Sequence, residues 1–101
     1  MIERYVLLKL RDEFTSTEAR RAVAEHSKKV LTALPQVLDV RVGISTDIDP
    51  GSDWDLSLAV RLESQDDLAP YSADPQHRAY VDEYLKPKLE SIRAWNFTIA
   101  D

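Results

Sequence analysis

The amino-acid sequence predicts an α+β domain with the element order β-α-β-β-α-β. Three observations favour this fold class: four segments have the composition or the period-two alternation of strands, two segments carry helix-start signals, and these segments follow one another in that order. A chain of 101 residues is expected to form one hydrophobic core. We therefore expect residues 1–101 to be a single domain.

The first strand is predicted over residues 2–10, where Val, Leu and Tyr predominate. Successive side chains of a strand point to opposite faces, so this strand has two distinct sides. One side consists of Ile2, Arg4, Val6, Leu8 and Leu10. Tyr5 and Leu7 lie on the other side, which makes the strand partly apolar on both faces.

The first helix is predicted from about residue 16 to residue 34. Thr15 and Glu18 have the spacing of a capping box, in which each side chain accepts a hydrogen bond from the backbone N–H of the other residue. Pro35 prevents the helix from continuing. One apolar stripe runs along it, formed by Ala19, Val23, Val30 and Leu34.

The middle of the sequence predicts a hairpin. Residues 37–45 alternate between polar and apolar, with Leu38, Val40, Val42 and Ile44 on the apolar side. A second alternation starts at Trp54 and continues to residue 62. Residues 47–53 form a turn between them, for which Pro50-Gly51 is the strongest signal. The two strands are therefore expected to pair antiparallel.

A second helix and a last strand complete the pattern. Residues 65–70 suit one helical turn, and the helix itself is predicted to begin with Asp74 as N-cap and Pro75 in the first position. Pro87 predicts a kink or a new turn over residues 86–91. The last strand is predicted over residues 92–100, with Trp95, Phe97 and Ile99 on one face.

This order is that of a ferredoxin-like fold, in which an antiparallel sheet carries both helices on one face. The other face would display Tyr5, Leu7 and the aromatic side chains of the last strand. An apolar sheet face of this size is rarely left uncovered in a monomer. We therefore expect a homodimer formed sheet against sheet, which makes a dimeric α/β barrel.

Composition excludes several classes of function. The net charge of −5 disfavours nucleic-acid binding, and the absence of cysteine removes thiolate metal sites and cysteine nucleophiles. Two histidines without cysteine provide too few ligands for a typical zinc site. The two glycines are isolated in the sequence and do not form a glycine-rich phosphate-binding loop. No apolar run approaches 18 residues and no signal segment is evident. We expect no metal, no cofactor, no membrane contact and a cytoplasmic location.

Four segments resemble the stress-responsive A/B barrel domain family. They are the opening run at residues 5–10, Val42-Gly43, Trp54-Asp55-Leu56 and, most specifically, Tyr-Ser-Ala-Asp-Pro-Gln-His at residues 71–77. Members of that family are dimeric α/β barrels with a small pocket between sheet and helices. One plant member closes a linear polyketide by aldol condensation. The resemblance therefore implies that Tyr71 and His77 are the positions to examine for chemistry.

The sequence departs from the family pattern at two positions. Family members often have a histidine in the first strand, where this chain has Arg4, and another before the proline, where it has Asp74. Arginine stays protonated and cannot act as a general base. A mechanism with two histidines therefore does not carry over to this chain.

The candidate catalytic residues are His77 and Tyr71. A neutral His77 can abstract a proton next to a carbonyl, and Tyr71 can orient the substrate or donate to a developing enolate oxygen. Alternatively, His77 caps the helix start and Tyr71 packs under the loop. The helix dipole and Asp74 have opposite effects on the charge of His77, and the sequence does not decide between them.

The candidate substrate-binding residues are Arg4, Trp54 and Tyr84. Arg4 can bind a carboxylate ligand bidentately or form a structural ion pair. Trp54 and Tyr84, with other aromatic side chains, can line a cavity or belong to the core or dimer interface. His26 lies close to the apolar stripe of the first helix, where a satisfied structural histidine is expected.

Three functions remain open at this stage. The chain can be a small-molecule-binding barrel of the stress-responsive type, or a cofactor-free cyclase or isomerase of an enolisable, polyketide-like substrate with His77 as base. The third hypothesis is that the chain is a purely structural dimer. In that case side chains would fill the interior and leave no cavity of the ~300 Å³ at which small-molecule sites usually start.

Overall fold

The computed structural model describes residues 1–46 and 54–100. Its strands and α-helices are β1 (Ile2–Leu10), α1 (Thr17–Thr32), β2 (Val37–Ile44), β3 (Leu56–Leu62), α2 (Leu68–Ala73), α3 (Pro75–Ala79) and β4 (Leu89–Thr98). A π-helical turn follows α3 at Tyr80–Leu85, and short 3₁₀ turns lie at Asp12–Phe14, Gln65–Asp67 and Lys86–Lys88. The predicted turn at residues 47–53 lies outside the described residues.

The four strands form one antiparallel sheet in the order β2-β3-β1-β4, as the ferredoxin-like prediction requires. In the central pair, Leu8 lies opposite Leu56, and both side chains are fully buried under the helices. The predicted division of β1 into two faces is confirmed, because Ile2, Val6 and Leu8 all belong to the core. β1 and β3 each contribute one face to the core, whereas every residue of β4 after Leu89 is exposed.

Helix α1 begins one residue later than the capping-box prediction required. Ser16 is the N-cap, and its Oγ accepts a hydrogen bond from the backbone N–H of Ala19 at 3.1 Å. The Thr15 hydroxyl instead donates to the carbonyl of Asp12 at 2.8 Å. The prediction of Thr15 as N-cap is wrong because a 3₁₀ turn at Asp12–Phe14 precedes the helix and has Thr15 as its C-cap.

The alternation predicted for β2 is interrupted at its start. The pairing register with β3 shifts between Val37 and Asp39, so that Val37 lies opposite Leu62. Leu38 is consequently 54% exposed, although the strict alternation placed it on the core side. Val40 is buried opposite Val60 as predicted, whereas Ile44 is 42% exposed although the alternation placed it on the core side.

The second helical region is capped as predicted but is less regular. The Asp74 carboxylate accepts hydrogen bonds from the backbone N–H groups of Gln76 and His77 at 2.9 and 3.4 Å. Only five residues of α3 follow before the backbone widens into the π-helical turn. Pro87 then lies in a 3₁₀ turn, which confirms the predicted change of direction, and β4 begins at Leu89, three residues earlier than predicted.

The sheet face away from the helices is an exposed surface, which we call the open face and define by Tyr5, Leu7, Trp95 and Phe97. Trp95 lies opposite Tyr5 in the register, and the rings of Tyr5 and Phe97 contact each other edge to face at a centroid distance of 5.6 Å. Trp95 and Phe97 are 45% and 52% exposed. The predicted apolar second face of the sheet is therefore present.

A buried carboxylate lies beside the open face. The Oε1 atom of Glu3 accepts hydrogen bonds from Arg41 and Arg61, both at 3.1 Å, and Oε2 accepts one from the Tyr5 hydroxyl at 2.7 Å. The hydrogen bond from Tyr5 and the two guanidinium groups lower the pKa of Glu3. The same hydrogen bond raises the pKa of Tyr5, so Glu3 is the charged partner.

Candidate functional site

A cavity of about 180 Å³ lies between the sheet and the helices. It brings together three residues that the sequence predicted for a site, namely Arg4, Tyr71 and His77. The rest of its wall is mostly apolar, with Val6, Leu31, Leu58, Val81, Leu85 and Ile92. It also includes Ser72, Tyr80 and Arg78, whose guanidinium is paired with Asp82. The cavity is smaller than the ~300 Å³ of usual small-molecule sites, but side chains do not fill it.

His77 reaches the cavity because of how its helix starts. It is the third residue of α3, directly after Pro75 and Gln76, and the Asp74 side chain holds its backbone N–H. Its Nδ1 atom lies 3.4 Å from the backbone carbonyl oxygen of Ser72. A carbonyl oxygen can only accept, so Nδ1 carries the proton and, in a neutral imidazole, Nε2 keeps a lone pair.

The surroundings of His77 favour its neutral form. Burial is the largest effect and lowers the pKa of His77, and the positive charges of Arg4 and Arg78 act in the same direction. The Ser72 carbonyl and the Asp74 carboxylate oppose this shift without cancelling it. The sequence left the charge of His77 open, and in the structure burial and the two arginines favour the neutral imidazole.

Tyr71 is the second polar group of the cavity. Its ring centroid lies 4.4 Å from that of His77, and only 3% of the residue is exposed. Burial raises the pKa of Tyr71 to about 12, against the opposing effect of the positive charge of Arg4. In the described part of the chain its hydroxyl has no hydrogen-bond partner. Tyr71 is thus a protonated phenol with an unused donor.

Arg4 lies in the middle of β1 on the side that faces the helices. Its Nη1 donates to the Oδ1 of Asn96 at 3.0 Å, because the pairing of β1 with β4 places these residues directly opposite. No ion pair of Arg4 occurs within residues 1–46 and 54–100, so the predicted structural ion pair is absent there. Asn96 was missed at the sequence level, and only the register of the two strands could have revealed it.

The other two predicted binding residues lie elsewhere. Trp54 is half-buried just before β3 and is not part of the cavity wall. Tyr84 lines a separate groove of about 570 Å³ on the outer side of the helices. There its ring stacks on His26 at a centroid distance of 3.9 Å, and the ammonium group of Lys88 lies 3.8 Å from its centroid.

Tyr80 is a cavity residue that the sequence did not single out as a site residue. Its ring lines both the cavity and the outer groove, and its hydroxyl donates to the Ser27 Oγ at 2.6 Å. The π-helical turn that begins at Tyr80 places this ring in the core while Tyr84 contacts α1. Helical periodicity predicts an α-helix here and does not reveal such a turn.

Neither a metal site nor a membrane span is found in the described ranges. Three or more histidine, aspartate or glutamate side chains do not cluster there as metal ligands would. None of the helices of those ranges is long and apolar enough to cross a membrane.

Comparison with protein families gives a match over nearly the whole chain. The model of the stress responsive A/B barrel domain matches residues 2–99. A stress-response A/B barrel domain-containing protein of Arabidopsis thaliana is 33% identical over 101 residues, which are 100% of this chain and 37% of the plant protein. This chain therefore spans little more than a third of the length of that relative.

Solved structures share the same fold. A dimeric protein of unknown function with a ferredoxin-like fold from Bacteroides fragilis is 26% identical, with a TM-score of 0.74 over 97% of this chain and 95% of that chain. The hydroxynitrile lyase of Passiflora edulis is 14% identical, with a TM-score of 0.80 over 99% and 94% of the two chains. With the family match over residues 2–99 and this shared fold, the chain belongs to the stress-responsive A/B barrel domain family.

Proposed function

We propose that this chain is a homodimeric barrel that binds a small organic molecule in the cavity between its sheet and helices. The observation that carries the proposal is the convergence of Arg4, Tyr71 and His77 on one apolar cavity. The Tyr71 hydroxyl is an available donor, and the charge of Arg4 has no acidic partner in the described ranges. Both features support a ligand that pairs with them.

The size of the cavity limits the ligand. At ~30 Å³ for each water molecule, 180 Å³ corresponds to about six waters. A molecule of a few carbon atoms suits this volume better than an extended polyketide chain.

The homodimer is supported by the open face. Trp95 and Phe97 are about half exposed on the open face, and the buried Glu3 carboxylate lies beside it. Sheet-against-sheet association would remove these rings from water, and such burial is favourable. The Bacteroides fragilis protein, 26% identical to this chain, is dimeric.

Binding in the cavity can be tested by NMR with a set of small charged and neutral fragments. Val81 lines the cavity, whereas Ala79 lines the outer groove two residues earlier. We expect fragments to shift the amide signals of residues 71–77 in the wild type and in Ala79→Phe, and to lose this effect in Val81→Phe. Shifts of these signals that persist in Val81→Phe would contradict the proposal. The absence of any shift in the wild type with every fragment would contradict it as well.

A second candidate function is proton transfer by a cofactor-free cyclase or isomerase. The observation that favours it is the pairing of Nδ1 of His77 with the Ser72 carbonyl, which leaves Nε2 as the acceptor. In this reaction Nε2 takes a proton from the carbon next to a substrate carbonyl, and the Tyr71 hydroxyl donates to the enolate oxygen that develops. The hydroxynitrile lyase shares only the fold at 14% identity, so its reaction adds no further support.

This second candidate is tested by following hydrogen–deuterium exchange next to the carbonyl of small ketones and oxo acids. General base catalysis contributes about 100-fold or more, so His77→Gln should lose exchange activity by about that factor. His26→Gln, outside the cavity, should retain it. Exchange no faster than in buffer would remove the enzyme candidate and leave the binding proposal standing.

A further inference from the structure

Resting on the proposed binding function, we infer that the cavity selects a small carboxylate and that Arg4 is the residue that binds it. The ligand class is a short monocarboxylate with a carbon chain that packs against the apolar wall. The inference concerns charge, and it is independent of whether the cavity also performs a reaction.

Arg4 differs from the arginines that are paired with carboxylates in this chain. Arg20 contacts the Asp55 carboxylate at 2.7 Å, and Arg78 contacts that of Asp82 at 2.9 Å. Arg4 is paired only with the neutral amide of Asn96, through one of its five N–H donors. In the ranges that the structure describes, its positive charge has no anionic partner.

The charge of Arg4 also lies where it is costly. Arg4 is half-buried in the wall of a largely apolar cavity, where a charge without a counter-ion is unfavourable. Its charge affects both Tyr71 and His77. It opposes the rise that burial causes in the pKa of Tyr71, and it adds to the fall that burial causes in the pKa of His77. An anion bound in the cavity next to the Arg4 guanidinium would compensate this charge.

The shape of a guanidinium suits a carboxylate. Its parallel N–H groups match the two carboxylate oxygens, and such charge-assisted hydrogen bonds are among the strongest in proteins. Tyr71 adds a neutral donor for a carboxylate oxygen or for a second oxygen of the ligand. Val6, Leu58 and Val81 provide the apolar wall for its carbon chain.

Selectivity for an anion requires a cationic side chain at the cavity itself. The net charge is −5, so the overall field repels anions. A preference for a carboxylate over a neutral molecule of the same shape must therefore come from a nearby cation. In the described ranges two arginines line the cavity with Tyr71 and His77, and Arg78 is paired with Asp82 at 2.9 Å, so Arg4 is the one of the two without an acidic partner.

The test compares butyrate with butyramide, which have the same number of non-hydrogen atoms and differ in charge. We expect the wild type to bind butyrate at least about 10-fold more tightly, measured by NMR titration of the amide signals of residues 71–77. Arg4→Gln should abolish this preference while butyramide affinity is retained. Arg21→Gln removes the same charge from an exposed position of α1 and should leave the preference unchanged.

Two results would overturn the inference. Equal affinities for butyrate and butyramide in the wild type would show that the cavity binds without regard to charge, and the proposed binding function would stand. A preference for butyrate that persists in Arg4→Gln would assign the anion to another group. The comparison of butyrate with butyramide in the wild type does not depend on whether any variant folds. Arg4→Lys keeps the charge but loses the bidentate guanidinium, so it should retain part of the preference for butyrate.

Discussion

The protonation of His77 is the property on which much of the chemistry at the cavity depends. Burial and the nearby guanidinium groups lower its pKa, so the imidazole is neutral at physiological pH. The unfolded chain gives the same histidine an ordinary pKa of about 6.5. Folding therefore disfavours proton binding at this site, and linkage converts this difference into a pH dependence of stability.

We predict that the free energy of unfolding decreases as the pH falls below about 6.5. Above that pH, His77 is neutral in both states. Between the ordinary pKa and the lower folded-state pKa, the unfolded chain binds a proton that the folded chain does not, which favours unfolding. Urea titrations should show a smaller decrease for His77→Gln than for the wild type. An NMR-measured pKa of His77 at or above 6.5 would contradict the prediction.

Individual site residues were predictable where a local pattern fixes their direction. The face of Arg4 follows from the alternation of β1, whereas His77 was indicated by the resemblance of residues 71–77 to the family, and the Asp74 cap fixes where its helix begins. Trp54 and Tyr84 were assigned to the cavity because they are aromatic, which does not determine where a ring points. Tyr84 instead stacks on His26 in the outer groove.

At the scale of elements, α3 is short and depends on its cap. Five α-helical residues provide few internal hydrogen bonds, and a π-helical turn follows immediately. The Asp74 carboxylate satisfies two backbone N–H groups at the helix start and also accepts a hydrogen bond from the Gln36 side chain at 3.3 Å. The position of His77 in the cavity depends on this turn.

We predict that Asp74→Ala lowers the free energy of unfolding by about 0.5–2 kcal/mol, the usual contribution of an N-cap side chain. Asp74→Asn keeps an oxygen that can accept from the N–H groups of Gln76 and His77, so most of the stability should return. Urea unfolding of both variants measures the difference. Equal stability of Asp74→Ala and Asp74→Asn would show that Asp74 does not stabilise the protein through its helix cap.

The order of the elements was predictable, whereas their irregularities were not. Hydrophobic alternation and capping residues place each strand and helix, and a ferredoxin-like order follows from them. The shift at Leu38 arises because β2 must align with β3, which is a contact between distant residues. The start of α1 at Ser16 likewise depends on a preceding 3₁₀ turn, for which the sequence has no strong signal.

At the scale of the whole molecule, the helices cover β1 and β3 on one face of the sheet and leave the other face and most of β4 exposed. The open face combines aromatic rings with the buried Glu3 and its two arginines. Aromatic and arginine side chains are the residue types that contribute most at protein interfaces. A second copy of this chain would place the same groups opposite themselves through a two-fold axis.

We predict that Trp95→Glu weakens the homodimer by at least about 30-fold in dissociation constant, which corresponds to the loss of an interface residue worth about 2 kcal/mol. Ala22→Glu adds the same charge on the exposed side of α1 and should leave the dimer intact. Analytical ultracentrifugation measures both. A wild type that sediments as a monomer at micromolar concentration would contradict the predicted assembly.

The two tryptophans occupy different environments, which makes one of them a natural reporter. Trp95 lies half exposed on the open face, whereas Trp54 is half-buried just before β3. Indole fluorescence shifts to shorter wavelength when water is removed from the ring. Association through the open face would therefore shift the emission of Trp95, and in Trp54→Phe this single indole would report assembly without any attached label.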